Sequence, residues 1–199
     1  MTFRHSRTLA VVVGALALIA WRVAADRLTL KPDSRLWVEG GSSVRDWNCK
    51  APVLEAAIAA AEGDAVAAVL AGKNAVTTVK FTVPVEKMDC GNGTMNGHMK
   101  KALKSTEFAT IDFQLETYSL TKGDTATAGT LNGTLTLGGV AKAIALPVMF
   151  RQAPEGALRV AGVYELNMRD YQLQPPSLMM GTLKVREKVK VNFDLLLKP

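Results

Sequence analysis

From residue 76 onward, apolar and polar positions alternate with the period of a half-buried strand. In Val76–Val85, the residues Val79, Phe81, Val83 and Val85 share one parity against Lys80, Thr82 and Pro84, and Pro84 marks a strand end or an edge. Phe108–Leu120 sets Ile111, Phe113 and Leu115 on one face, then carries Tyr118 and Leu120 with the parity shifted by one, the mark of a β-bulge. Gly123-Asp124 turns the chain into Thr125–Leu137. Gly138-Gly139-Val140-Ala141 then reads as a four-residue loop, which sets Leu135 opposite Ile144 and Leu137 opposite Lys142. The return strand puts Ile144, Leu146, Val148 and Phe150 on one face. Beyond the Pro154-Glu155-Gly156 turn, Leu158, Val160, Gly162, Tyr164, Leu166 and Met168 alternate in the same way. The last strand is the most regular, running from Val185 through Val189, Val191, Phe193 and Leu195 to Leu197, with Glu187 the single exception on that face.

The first part of the chain is less regular. Asp26–Pro32 reads as a lead-in, Ser34–Gly40 and Ser42–Cys49 as two strands, and Gly40-Gly41 as the bend between them. Ala51–Lys73 is alanine-rich and broken by Glu62-Gly63-Asp64. It predicts a strand or loose segment to about residue 60 and a short helix near Asp64–Leu70. A second helix follows Cys90, with Asn92 or Thr94 as its cap and Met95, Met99, Ala102 and Leu103 along one side. Arg169–Leu183, with Pro175-Pro176 and Met179-Met180, breaks the alternation and reads as a loop or helical turn over something apolar. About eight long strands joined by hairpin-length connections predict an antiparallel barrel or a sharply curved sandwich, mainly β.

Residues 1–25 stand apart from this pattern. Arg4 and Arg7 precede the 13-residue apolar run Leu9–Trp21, and Val23-Ala24-Ala25 supplies small residues for cleavage. A bilayer span needs about 20 residues, so a signal peptide is the reading, leaving 26–199 as one exported domain in the periplasm or outside the cell. An uncleaved anchor is the alternative, supported by Trp21-Arg22. Removal of Arg4, Arg7 and Arg22 lowers the net charge from +6 to +3, and the remaining basic residues are scattered among acidic ones. Nucleic-acid binding needs a basic stripe, and none is present. Two cysteines in an exported chain are most simply a Cys49–Cys90 disulfide, the alternative being two free thiols.

Candidate chemistry is sparse. After processing, His98 is the one remaining histidine, and no nucleophile motif accompanies it. A non-enzyme with no cofactor is therefore expected. Met95, His98 and Met99 fall on one helical face, and thioether with imidazole suits copper, so a copper or haem binder is one alternative; core packing of the methionines is the other. The remaining signal is the apolar lining. Candidate lining residues are Phe81 and Val83, then Phe108, Ile111, Phe113 and Leu115, then Leu135, Ile144, Val148 and Phe150, and finally Tyr164, Val191 and Phe193, with Met179 and Met180 as a flexible lid. In a filled barrel these are ordinary packing, and the protein is then a ligand-free structural stress protein.

The order of four motifs resembles the YceI-like family of exported bacterial proteins that bind lipids such as polyisoprenoids. The motifs are Asp33–Gly40, the Gly97-His98-Met99-Lys100 block running to Ile111-Asp112-Phe113, Leu131–Lys142, and Gly162–Asp170 with Gly181–Val185. The resemblance implies an extended eight-stranded lipocalin-like barrel with one or two short helices. It also implies non-catalytic binding, transport or sequestration of an amphiphilic lipid such as a polyisoprenoid, an isoprenoid quinone or a fatty-acid derivative. Contact with a membrane for lipid exchange and a homodimer are compatible with it. At about 25 cal/mol for each Å² removed from water, a chain of about forty carbons is held with few polar contacts. The Cys49/Cys90 pair and the alanine-rich Ala51–Lys73 depart from the commonest pattern, and the second reads as an insertion that narrows or caps the cavity.

Overall fold

The computed structural model describes residues 26–61, 63–178 and 183–199, so residues 1–25, expected above to be a signal peptide or anchor, and the expected lid residues Met179 and Met180 lie outside the described residues. Among the described residues, twelve strands and two α-helices follow in order. They are β1 (Asp26–Leu30), β2 (Arg35–Gly41), β3 (Asp46–Lys50), β4 (Glu55–Ala60), α1 (Ala65–Leu70), β5 (Val76–Pro84), α2 (Gly93–Ala102) and β6 (Thr110–Lys122). Then come β7 (Thr127–Leu137), β8 (Val140–Gln152), β9 (Leu158–Asn167), β10 (Ser177–Leu178), β11 (Leu183–Lys184) and β12 (Lys188–Lys198).

Eight strands close an antiparallel barrel in the order β1-β4-β5-β6-β7-β8-β9-β12, with β12 returning to β1 through Thr29↔Lys198 and Leu30↔Leu197. β12 shares its free edge between two partners, pairing with β1 only at its end and with β2 over Lys190–Asp194. β3 extends the sheet beyond β2. The wall is therefore closed by β1 and β4 at one end and carried outward by β2 and β3 at the other. There the isolated Lys50↔Asp89 bridge and the Cys49–Cys90 disulfide tie β3 to the segment preceding α2.

Two expectations need correction. Asp26–Leu30 is a barrel strand, because five residues suffice when they pair on both sides, with β12 and with β4. The β7–β8 connection is a two-residue turn: Gly138 and Gly139 have φ of +55° and +81°, the conformation of a tight hairpin that only glycine adopts readily. Leu137 thus pairs with Val140, Leu135 with Lys142 and Gly133 with Ile144. The expected bulge is present, since the β6–β7 register shifts between Leu115 and Thr117.

The alanine-rich segment supplies β4 and α1. Asp64 caps α1 by accepting from the Ala67 N–H at 2.9 Å, and Gly72 at φ +76° ends it. The buried face of α1, Ala65, Val66 and Val69, packs with Leu28, Ile58, Val148, Phe150, Leu158 and Leu197 to fill the β1/β4 end of the barrel. Small side chains let the helix sit close to the strands. The segment thus narrows the lumen by plugging its base.

Candidate functional site

Above the plug the barrel is hollow. An apolar cavity of about 430 Å³ occupies the interior, within the usual range for small-molecule sites. Its walls are Val79, Phe81 and Val83 of β5, Ile111 and Phe113 of β6, and Leu131, Leu135 and Leu137 of β7. Ile144 and Leu146 of β8 continue it, followed by Val160, Tyr164 and Leu166 of β9 and by Val189, Val191, Phe193 and Leu195 of β12. Leu36 and Val38 of β2 and Trp47 of β3 complete the side where the wall moves outward.

Two of the rings owe their position to glycines. A Cβ on Gly133 would stand 2.8 Å from Phe113 Cζ, and one on Gly162 would stand 2.5 Å from Phe193 Cζ. Each ring therefore lies over a bare stretch of neighbouring strand.

α2 covers the mouth. None of its residues is fully buried; Thr94, Met95, His98, Met99 and Ala102 line the cavity from above. Polar ties hold it by its ends. Asn92 accepts from the Met95 N–H at 3.1 Å, and Asn96 accepts from the Cys90 N–H at 2.7 Å while donating to Asp89 at 2.9 Å. The hydrogen bond from Asn96, with a second from the Gly91 N–H, holds the Asp89 carboxyl below the usual range. Lys100 pairs with Glu86 at 2.7 Å, and this hydrogen bond holds the Glu86 carboxyl low. The turn at the far end of α2 places Lys104 at φ +55°, with the Ser105 N–H donating to Lys100 O and the Lys104 N–H to Lys101 O.

The opposite rim is a 3-10 turn, Met168–Tyr171, followed by Leu173. Met168, Tyr171 and Leu173 are buried with Leu137, Leu166 and Val189. Burial pushes the Tyr171 phenol up to about 12, with Tyr164 and Asp170 adding to the effect. The Tyr171 hydroxyl and the Trp47 indole N–H are both buried without a hydrogen-bond partner among the described residues. The polar residues that reach the cavity, Ser42, Arg45, Asn92, Thr94 and His98, belong to the β2–β3 turn and to α2 and its cap, both at the mouth. No group of three or more His, Cys, Asp or Glu stands together as a metal site among the described residues.

Phe81, Val83, Ile111, Phe113, Leu135, Ile144, Tyr164, Val191 and Phe193 thus reach the cavity. Val148 and Phe150 lie below it in the packed base, and Leu115 is half-buried away from it. Phe108 lies outside the strands, 36 % exposed, with its ring against Gly139. Met95, His98 and Met99 do share one face, and that face roofs the cavity. Sequence reasoning missed Leu36, Val38 and Trp47 as lining; the alternation in β2 was visible, but not that β2 joins β12.

Comparison with solved structures agrees with this architecture. BcnA of Burkholderia cenocepacia superposes with a TM-score of 0.64 at 15% identity, over 84% of this chain and 99% of that one. A polyisoprenoid binding domain from Saccharophagus degradans gives a TM-score of 0.60 at 12% identity, over 86% and 97%. The Campylobacter jejuni YCEI protein gives 0.59 at 14% identity, over 76% and 84%. Among curated protein sequences none matches the chain. The model of the YceI-like domain matches residues 43–197, and the chain accordingly belongs to the YceI-like family.

Proposed function

We propose that the protein binds an amphiphilic lipid in the barrel cavity, without catalysis, and carries or sequesters it in the periplasm or outside the cell. The observation that carries this reading is the hollow, apolar upper half of the barrel, about 430 Å³, with its polar residues gathered at the mouth. Such a site buries a hydrocarbon chain at about 25 cal/mol per Å² and leaves a head group in contact with water. The polyisoprenoid binding of the Saccharophagus degradans domain supports a lipid or isoprenoid as the ligand class. Export by residues 1–25 fits the disulfide, which persists in oxidising compartments. A lipid of this kind is loaded and released at a membrane, by a monomer or a homodimer.

Native mass spectrometry of protein purified from its own periplasm, followed by solvent extraction, tests the reading. A retained mass of several hundred daltons that extracts as a lipid is the expected result. Bare protein, together with no saturable binding of any prenyl, quinone or acyl lipid, overturns it. The roofing face of Met95, His98 and Met99 supports one alternative, a copper site. That alternative predicts metal retained in the purified protein and lost in His98→Ala.

A further inference from the structure

The cavity has a floor, and its depth limits the chain it can hold. On three strands the lining spans six residue steps, Leu131 to Leu137 in β7, Val160 to Leu166 in β9 and Val189 to Leu195 in β12. Six steps at about 3.3 Å measure roughly 20 Å along a strand, and a tilt of about 40° leaves roughly 15 Å along the barrel axis. Below Val160 the space is occupied, since it packs with Val148, Phe150, Leu158 and the α1 residues Val66 and Val69.

An extended chain of single bonds advances about 1.2 Å per bond, so roughly 15 Å accommodates about 13 carbons. A forty-carbon prenyl chain has about 32 backbone carbons and extends to roughly 38 Å, more than twice the depth.

We propose that the site seats about 12 to 16 backbone carbons of a single extended hydrocarbon chain, acyl or short prenyl, between mouth and floor, and does not fully bury longer extended polyisoprenoids. The inference rests on the lipid-binding reading above and narrows it. The floor is what this chain's alanine-rich segment contributes, through α1.

Displacement of an environment-sensitive fluorescent fatty acid from the full mature protein tests the limit. The competitors are saturated fatty acids from about eight to about twenty carbons, with farnesol, geranylgeraniol and octaprenol as the prenyl arm. Affinity should rise about fourfold per methylene up to about fourteen carbons and level off by about sixteen. Octaprenol should bind no tighter than geranylgeraniol. Affinity that keeps rising past about twenty carbons, with octaprenol tightest, overturns the length limit while upholding lipid binding. Displacement by no chain at all overturns the lipid reading and the limit with it. Leu131→Ala, at the half-buried edge of the floor, should move the plateau outward by about three carbons. A plateau that stays put in a variant with wild-type-like circular dichroism overturns the floor.

Discussion

Replacing both cysteines, Cys49→Ala with Cys90→Ala, tests what holds the seam where β3 leaves the barrel. The bond joins residues separated by 41 positions, and in the chain-entropy picture its removal frees the denatured ensemble by about 4 kcal/mol. The folded seam keeps its other ties. Lys50 N–H donates to Asp89 O at 2.7 Å and Asp89 N–H to Lys50 O at 2.9 Å, while Ala51, Val83 and Met88 remain packed beside them. The change therefore falls mainly on the unfolded chain, and the native barrel keeps its shape. Urea titration is the assay. With an m-value of about 2 kcal/mol per molar, the midpoint drops by about 2 M, and m itself rises because the freed chain exposes more surface. Reducing the wild-type protein should reproduce both changes. A midpoint shift below about 0.5 M with unchanged m would refute the reasoning, since the denatured loop would then be closed without the bond.

Three further outcomes are expected. Lys104→Gly should raise stability by about 0.5 to 1 kcal/mol, read from the urea midpoint, because Lys104 ends α2 at φ +55° where glycine carries no steric cost. Tyr171→Phe should raise it by about 1 to 2 kcal/mol, since it removes a hydroxyl buried without a partner among the described residues; thermal denaturation of the two proteins checks this. Acid should destabilise the fold through Asp194 and Asp112. The Asp194 carboxyl is held low by its hydrogen bonds from Arg159. For Asp112, burial pushes upward but is outweighed by hydrogen bonds from Thr82 at 2.6 Å and Thr110 at 2.7 Å. Depressed folded-state values mean a contribution fully present above the ordinary carboxyl range of about 4 and lost as pH falls through the folded values. Urea midpoints from about pH 6 down to about pH 3 should fall less steeply in Asp194→Asn than in wild type.

What the sequence made legible was what depends on neighbours in the chain. Alternation located β5 through β9 and β12, the parity slip at Glu116 exposed the bulge, and Asn92 capped α2 as its side-chain chemistry suggested. Partnering between distant segments was not legible. β1 has few apolar residues and acquires its place from β12 and β4, and the alanine-rich stretch reads as an insertion until Ala60, Ala65, Val66 and Val69 are seen packed on Val148 and Phe150. The four-residue loop expected after Leu137 failed because two adjacent glycines at positive φ need no help from Val140 and Ala141. Phe108 looked like lining by its residue type, yet it precedes β6 and escapes the alternation that aims its neighbours inward.

The question that alternation leaves open is whether inward residues meet in the middle or stand around a space. Val148 and Phe150 meet: they share the base with a helix, and α1 brings side chains into the lumen that the strands alone do not supply. Ile144 and Leu146, nearer the mouth on the same strand, stand around a space, because among the described residues no element enters the lumen at their level. Phe113 and Phe193 line the cavity with each ring lying over a position with no Cβ, Gly133 or Gly162. An alanine at Gly133 would also stand 2.3 Å from the Gln114 carbonyl oxygen, so both the ring and the strand would have to move. The filled half seats a ring in the same way, since a Cβ on Gly129 would stand 2.9 Å from Phe150 Cε2. The two halves of the barrel thus share the inward alternation and the glycine seats, and differ in the helix inserted at one end.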